Sequence, residues 1–378
     1  MKTRIRPRMN GSLFKHCFPA VALSLALVAT TKARDGAIYT MDNAATGNHL
    51  LAFQRDESGH LTGVGTVATG GTGTGAGLSS QGSVLLSQDA GWVFVCNAGT
   101  SDISVLAVTP QGLALTDRVA SGGQMPLSLS LRNNLLYVLN AGGLVGDKDN
   151  ITAFEFAEGK LAPLPGSTRA LSTDNTGPAQ VSFSADGDLL IVTERLTSLI
   201  DTFVLEDDGL AVGQKTFVSA GTTPFGFAMG RKNRLFVSEA GGGAADASSL
   251  SSYQLSEDGD LAVLSASAPT KQTAACWAIV SKNGRYVYTS NTGSGSISGF
   301  QVGPHGSLQL LTADGRTGLT GTGSKPVDMA LSDDGRFLYN LNTGNGTITA
   351  FHVNPDGTLA PLAAVGGIPT GAAGLAGR

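Results

Sequence analysis

One pattern recurs along the chain and restricts its fold more than any other feature. A short apolar segment that ends in a polar residue occurs seven times, at intervals of roughly fifty residues. The seven copies are residues 38–43, 93–97, 136–140, 190–194, 235–239, 287–291 and 338–342. Each copy is followed by a run of alternating polar and apolar residues and then by a glycine turn, which predicts strands joined by tight hairpins.

A further strand precedes every copy except the first, so each repeat predicts four strands, which we call A to D. Seven four-stranded units repeated in this way are typical of a β-propeller, in which circular packing protects the sheet edges. The first repeat begins at its strand B near Ala37, whereas the chain ends with a surplus segment that resembles strand A. We therefore predict an all-β, seven-bladed propeller in which residues 367–376 complete the N-terminal blade.

The N-terminal segment differs from the repeats in composition. Residues 1–33 contain six of the 25 Lys and Arg residues and none of the 29 Asp and Glu residues, and an apolar run extends from Cys17 to Ala29. A basic segment before a short apolar run is the pattern of a secretory signal peptide, with small residues for processing at Ala29 and Ala33. An uncleaved anchor is the alternative. We predict a signal peptide at 1–33, a single propeller domain at 34–378, and a periplasmic or secreted protein.

Charge limits the classes of partner. Without residues 1–33, 19 basic residues face 29 acidic ones, so the net charge is near −10. Such a chain offers no basic patch for nucleic acid or for an anionic membrane. A small-molecule substrate or ligand is the predicted partner, and the oligomeric state is left open.

Several segments of the repeats resemble one known family. These are TPFGF at 223–227 with VSEA at 237–240, TAACW at 273–277, NTGSGSI at 291–297 and PVDMALS at 326–332. Over residues 37–378 the chain resembles the seven-bladed lactonase-like propellers grouped with bacterial 6-phosphogluconolactonase and fungal carboxymuconate cyclase, and especially their exported bacterial branch. The resemblance implies the propeller fold and the opening of a small lactone, or a related cycloisomerase reaction.

Candidate catalytic residues lie where strands B end, because these ends and the starts of strands A belong to one face of the ring. Five repeats end strand B in Asn, whereas two consecutive repeats end it in Glu194 and Glu239. Two carboxylates near a narrow channel would raise each other's pKa, as acid–base catalysis requires. Arg195 follows Glu194 and would stabilise an oxyanion or bind a substrate carboxylate. The alternative is that these side chains only cap the loops that follow them.

Candidate substrate-binding residues come from the starts of strands A. They are Gln180, Phe225, Trp277, Lys325 and Asp328. The two aromatic residues would form an apolar wall for a small ligand, although packing between blades explains aromatic residues equally well. Asp328 lies on an innermost strand, where a carboxylate either faces the channel or needs a partner.

A cofactor is either absent or a divalent cation in the channel. Gluconolactonase propellers of a different family hold such an ion with Glu, Asn and Asp side chains, and this chain offers Asn291 and Asn342 together with Glu194, Glu239 and Asp328. Ligands that present only oxygen suit calcium or magnesium.

Two functions from different classes therefore remain open. The first is a hydrolase that opens a small lactone, which we predict to be non-phosphorylated because the predicted face carries only Arg195 and Lys325 as cations. The second is a non-catalytic exported propeller that binds a ligand or a protein.

The boundary near residue 34 can be tested directly. Because all seven repeats lie after residue 34, protein recovered from the cell envelope or the medium is expected to begin between Thr30 and Asp35. N-terminal sequencing measures this, and a cytoplasmic protein that retains Met1 would contradict both the signal peptide and the export prediction.

Overall fold

Short strands joined by turns make up nearly all of the structure. The computed structural model describes residues 36–142 and 148–378, so the predicted signal peptide at 1–33 lies outside the described residues. Within them, the only helical segments are three 3₁₀ turns at Arg231–Asn233, Gly241–Gly243 and Pro304–Gly306. The described part of the chain contains no helix of the length and apolarity needed to cross a membrane.

The strands follow the predicted order. The first two repeats contain β1 (Gly36–Met41), β2 (His49–Arg55), β3 (Leu61–Ala68), β4 (Val84–Leu86), β5 (Trp92–Asn97), β6 (Asp102–Thr109) and β7 (Gly112–Ala120). The next two contain β8 (Pro126–Arg132), β9 (Leu135–Asn140), β10 (Asn150–Ala157), β11 (Lys160–Pro163), β12 (Arg169–Ala170), β13 (Pro178–Phe183), β14 (Leu189–Glu194), β15 (Leu199–Leu205) and β16 (Ala211–Val218).

The remaining strands complete the ring. They are β17 (Pro224–Met229), β18 (Arg234–Glu239), β19 (Ser249–Leu255), β20 (Leu261–Pro269), β21 (Ala275–Val280), β22 (Tyr286–Asn291), β23 (Ser296–Val302), β24 (Leu308–Leu310), β25 (Gly318–Leu319), β26 (Pro326–Leu331), β27 (Phe337–Asn342), β28 (Thr347–Val353), β29 (Leu359–Pro361), β30 (Val365–Gly366) and β31 (Ala373–Gly377).

These strands form seven antiparallel sheets, one for each repeat. Six sheets follow chain order from strand A to strand D, and in blades 3, 6 and 7 strand D is split, so that β12, β25 and β30 are additional short pieces. The sheet of blade 1 has the order β31-β1-β2-β3. The predicted seven-bladed propeller with four-stranded blades is therefore confirmed.

Strands B are buried on both faces because each blade packs between two neighbours. In β5, for example, Val93, Phe94, Val95 and Cys96 are all fully buried. This explains why the repeated segments are continuously apolar, whereas the outer strands D, such as β3, are exposed over most of their length.

The C-terminal strand closes the ring as predicted, with a shorter extent. In β31, Ala376 pairs with Tyr39 and Ala373 with Met41, and the register shifts between these pairs. Residues 367–372 were predicted to belong to this strand but form a turn instead, in which the amide of Ala372 donates to the carbonyl of Pro369. Pro369 itself has no amide hydrogen to contribute to a strand ladder.

Closure predicts a global effect from a small deletion. Removing residues 366–378 deletes β31 and exposes the innermost edge of β1, so the melting temperature should fall by about 10 °C or more. Differential scanning calorimetry measures this, and an unchanged melting temperature would exclude closure.

A point variant keeps the prediction testable if the deletion does not fold. Gly374 has a φ of +71°, and a Cβ there would lie 2.5 Å from the backbone nitrogen of Val84. Gly374→Ala should therefore lower the melting temperature, whereas Gly366→Ala, with no atom near the added methyl group, should lower it much less.

Candidate functional site

β-Bulges determine where the side chains at the start of strands A point. In blades 3 to 7 the register between strands A and B shifts within the first few residues of strand A. In blade 7 the shift falls between Pro326 and Met329 and includes Asp328, and in blade 5 it falls between Pro224 and Phe227 and includes Phe225. A bulge turns a side chain away from the regular alternation, so these residues reach the central channel or its rim.

A segment between blades 1 and 2 crosses the channel at this end. The side-chain amide of Gln81 donates to the carbonyl of Ala278 in blade 6 at 2.8 Å, and its oxygen accepts from the amide of the same residue at 3.1 Å. The backbone amide of Gln81 donates to Ala179 of blade 4, and its carbonyl accepts from Ser128 of blade 3. Residues 78–82 thus connect blades that do not neighbour one another.

Asp328 lies where this segment meets blade 7 and blade 1. One carboxylate oxygen, Oδ2, accepts from the amides of Gly82 at 3.1 Å and Leu375 at 3.4 Å, and Oδ1 accepts from the amide of Met329 at 2.9 Å. The side chain is 2% exposed, and burial raises the pKa of Asp328 to about 7. The Asp328 carboxyl thus has the partners that a buried carboxylate needs, and a pKa near 7 would make it change protonation state near neutral pH. Its predicted role in binding a substrate stays a prediction.

Asp328 borders a small cavity at the mouth of the channel. The cavity has a volume of about 140 Å³ and is lined also by Trp277, Thr292, Thr343 and the backbone around Ser80. We call it the mouth cavity. Trp277 is held in place because its indole Nε1–H donates to the carbonyl of Ser80 at 2.8 Å.

Aromatic contacts extend this site toward blade 4. The rings of Trp277 and Phe225 lie 4.8 Å apart between centroids, and the guanidinium carbon of Arg195 lies 5.2 Å from the centroid of Phe225. The Nε–H of Arg195 donates to the carbonyl of Gly177, whereas its two terminal nitrogens make no hydrogen bond within the described residues. Arg195 thus contacts Phe225, Phe225 contacts Trp277, and Trp277 lines the mouth cavity together with Asp328. The predicted roles of these residues in catalysis and in substrate binding stay predictions.

A second cavity of about 360 Å³ lies along the channel and is lined by strands A of six blades. Gln180 borders it, but the side-chain oxygen of Gln180 accepts from the amide of Phe227 in blade 5 at 2.6 Å. Its observed contact therefore joins two blades, and its predicted role in binding a substrate stays a prediction.

Glu239 is enclosed by donors from strand C of its own blade and from the segment that joins blades 4 and 5. Its Oε1 accepts from the amide of Gly221 at 2.7 Å and from the hydroxyls of Ser219 and Ser251 at 3.1 and 2.6 Å, and its Oε2 accepts from Ser249. The side chain is fully buried. This geometry matches the loop-capping alternative, and the catalytic role of Glu239 stays a prediction.

Glu194 is fully buried as well, and its neighbours include two further acids. Its oxygens accept from the amide and hydroxyl of Ser172 at 3.0 and 2.6 Å and from the hydroxyl of Thr197 at 2.6 Å. The carboxyl of Asp201 also hydrogen-bonds Glu194, which requires a proton on one of the two groups, and burial raises the pKa of Asp201 to about 7. Burial likewise raises the pKa of nearby Asp149. The catalytic role of Glu194 stays a prediction.

The predicted cation ligands Asn291 and Asn342 make their hydrogen bonds within their own blades, and the divalent cation stays a prediction. The side-chain amides of Asn291 and Asn342 donate to hydroxyls at the start of strand C in their own blades, and the oxygens of both amides are buried without a partner. Within residues 36–142 and 148–378, no group of three or more His, Cys, Asp or Glu side chains could hold a metal ion. Lys325 is exposed beside the mouth cavity.

Sequence reasoning did not select several residues of this region. Asp201 lies in the middle of a strand, where an acid among apolar residues is the available signal. Thr292 and Thr343 directly follow the predicted ends of strands B. They were not selected, because the residue before each of them was taken as the polar end of the strand. Gln81 was not selected as a site residue, because its contacts with distant blades leave no local pattern in the sequence.

The buried acid pair in blade 4 predicts a dependence of stability on pH. The folded-state pKa of Asp201 lies above its ordinary value of 3.8, so folding favours the protonated form. The stabilisation is fully present below pH 4 and is lost as the pH rises through 7. Thermal unfolding should therefore occur several degrees lower at pH 8 than at pH 5.

The variant Asp201→Asn has a neutral side chain at every pH, so its melting temperature should fall less between pH 5 and pH 8 than that of the wild type. Ionisation of Asp328 and Asp149 accounts for the fall that remains. Asp334→Asn is a suitable control, because hydrogen bonds to Ser332 and Arg336 lower the pKa of Asp334 to about 2. If the melting temperatures of the wild type and of Asp201→Asn fall equally between pH 5 and pH 8, Asp201 is not the group responsible.

Comparison with known proteins identifies the family. Residues 46–170 and 221–328, more than half of the chain, match the family model described as "Lactonase, 7-bladed beta-propeller". No curated protein sequence matches the chain significantly.

Solved structures agree on the fold. A Bacteroides fragilis protein with a provisional assignment as a 6-phosphogluconolactonase is 17% identical with a TM-score of 0.71, covering 92% of this chain and 99% of that one. The periplasmic gluconolactonase PpgL of Pseudomonas aeruginosa is 16% identical with a TM-score of 0.70, covering 90% and 98%. At these identities the likeness extends to the fold alone. Since the family model covers both halves of the ring, the chain belongs to the lactonase family of seven-bladed β-propellers.

Proposed function

We propose that this protein is a carboxylic ester hydrolase that opens a small lactone at the mouth of the central channel. The observation that carries the proposal is Asp328, a channel carboxyl with a pKa near 7 that borders a cavity next to an aromatic wall. Such a group can accept a proton from water at neutral pH. Membership of the lactonase family makes an ester carbonyl the favoured target.

The reaction requires two contributions from the chain. Asp328, in its ionised form, removes a proton from a water molecule in the mouth cavity while the water oxygen attacks the lactone carbonyl. The acyl C–O bond of the ring then breaks, and the proton passes to the ring oxygen, which becomes the hydroxyl of the product acid. The guanidinium of Arg195, whose two terminal nitrogens have no hydrogen-bond partner among the described residues, stabilises the oxyanion or the new carboxylate.

Export is part of the proposal. The basic and apolar segment before residue 34 supports it, as does the likeness to a Pseudomonas aeruginosa protein described as periplasmic. A periplasmic or secreted enzyme would act on non-phosphorylated lactones, since sugar phosphates are cytoplasmic metabolites.

Turnover is tested with a panel of aldonolactones and simple γ- and δ-lactones, with 6-phosphogluconolactone included. Asp328→Asn should lower kcat by about 100-fold or more, because the amide cannot act as a base. It should also lower the melting temperature, because the NH2 group of Asn replaces an oxygen that accepts from a backbone amide, so turnover is measured well below the unfolding transition of the variant. The pH profile of kcat/KM for the wild type should rise through pH 7 as Asp328 ionises. Asp334→Asn, at the opposite end of the same blade, is the matched control and should leave both parameters unchanged.

Two outcomes would overturn this assignment. If Glu194→Gln or Glu239→Gln abolishes turnover while Asp328→Asn stays active, the catalytic residues are the buried glutamates. If no lactone is hydrolysed but a small molecule binds saturably and Trp277→Phe weakens it, the protein is a binding module.

A further inference from the structure

A second candidate site lies on the face of the ring opposite the mouth, between blades 2 and 3. It is a groove of about 370 Å³ lined by Ser87, Gln88, Asp89, Trp92, Leu131, Asn133 and Phe156. We call it the Trp92 groove. Its residues come from the turns between strands A and B and from the end of a strand C, whereas the mouth cavity is built from the other ends of these strands.

Packing on one side holds the indole of Trp92 in a defined orientation. Its ring lies edge-on to Phe156 at 5.4 Å between centroids, and Phe156 in turn lies 4.9 Å from Phe94. Gly159 packs against the indole with a φ of +79°, and a Cβ there would lie 2.5 Å from the ring. The ring is nevertheless only half-buried, so part of its surface faces the groove.

Polar groups around this ring are left unpaired. The indole N–H of Trp92 and the side-chain amides of Gln88 and Asn133 make no hydrogen bond to any residue that the structure describes. Asp89 accepts from Ser87 and Gly91 through Oδ1 alone, which leaves Oδ2 free, and these bonds lower its pKa so that it is ionised at neutral pH. The groove therefore offers three kinds of donor and one charged acceptor beside an aromatic surface.

The equivalent positions in blades 6 and 7 make contacts within the protein. Tyr286 begins strand B of blade 6, and its hydroxyl donates to the carbonyl of Pro355. Phe337 begins strand B of blade 7, and the guanidinium groups of Arg55 and Arg336 lie over its ring at 5.5 and 5.1 Å. Tyr286 and Phe337 are thus engaged within the protein, whereas the indole N–H of Trp92 has no hydrogen-bond partner among the described residues.

We propose that the Trp92 groove binds a neutral saccharide. The apolar C–H face of a sugar ring stacks on an indole, while carboxylate and amide side chains pair with its neighbouring hydroxyls, which act as both donors and acceptors. A second groove, of about 370 Å³, shares Asn133 and continues toward blade 4, where Arg132 and Asp188 border it. A chain of two or more sugar units therefore fits better than a single ring.

Intrinsic fluorescence tests this inference, because the chain contains only two tryptophans. The variant Trp277→Phe leaves Trp92 as the sole reporter in the full chain. Titration with maltose, cellobiose and N,N′-diacetylchitobiose should give a saturable change in emission for at least one disaccharide, and isothermal titration calorimetry on the wild type should give the same dissociation constant.

Variants of the unpaired groups identify the site. Gln88→Ala and Asn133→Ala should each weaken the binding about fivefold or more, the value of one hydrogen bond, without changing the melting temperature. Asp333→Ala, at the position in blade 7 that corresponds to Gln88, should leave binding unchanged. Lactone turnover should be the same in all three variants, so failure of this proposal and failure of the proposed function are distinguishable.

Two results would overturn the proposal. One is that none of the three disaccharides binds at concentrations up to about 50 mM. This limit is on the order of the weakest dissociation constant that stacking of a sugar on one aromatic ring would give. The other is tight binding of choline instead, which would make Asp89 and Trp92 a site for an organic cation.

Discussion

Pairing of β1 with β31, the first and last strands that the structure describes, is the constraint on which the ring depends. A propeller whose blades only packed face to face would leave the innermost edge of β1 open, whereas β31 fills that edge and places the last residues between blades 7 and 2. The same strand supplies the amide of Leu375 to Asp328 and brings Gly374 against Val84. The strand that closes the ring therefore also forms part of the environment of Asp328, the candidate base.

The choice between Asn and Glu at the ends of strands B follows from the direction of local hydrogen bonds. In blade 5 the hydroxyls of Ser249 and Ser251 donate to Glu239, so strand B must supply an acceptor for each hydroxyl, and the two carboxylate oxygens do so. In blade 6 Ser296 and Ser298 occupy the same places, but their hydroxyls donate to Gln272 and Gly315. They therefore need a donor from strand B, and the amide of Asn291 supplies it. A carboxylate in this ring thus has a structural explanation that does not involve catalysis.

The fold was predictable from the sequence because its evidence is local and repeated seven times. Each strand B is continuously apolar, each hairpin has its glycine, and the missing first strand A has a counterpart at the C-terminus. The candidate site was only partly predictable. Asp328, Trp277, Phe225 and Arg195 were identified from their places in the repeat, but their grouping depends on β-bulges and on the segment that includes Gln81. The contacts of Gln81 join residues about 200 positions apart, as in its bond to Ala278, and no short-range pattern encodes them.

The two faces of the ring differ in how their polar groups are used. At the mouth, the B-strand ends and the loops before strands A bind one another, so the groups left for a ligand are few and are concentrated on Asp328 and Arg195. On the opposite face the A–B turns close on themselves through bonds such as Ser87 to Asp89, and within the described residues the side-chain amides of Gln88 and Asn133 in these turns make no hydrogen bond. Because a four-stranded blade separates the two faces, residues on one can change without altering the geometry of the other. A propeller of this family can for that reason keep a reaction at its mouth while the turns of the other face acquire a separate binding specificity.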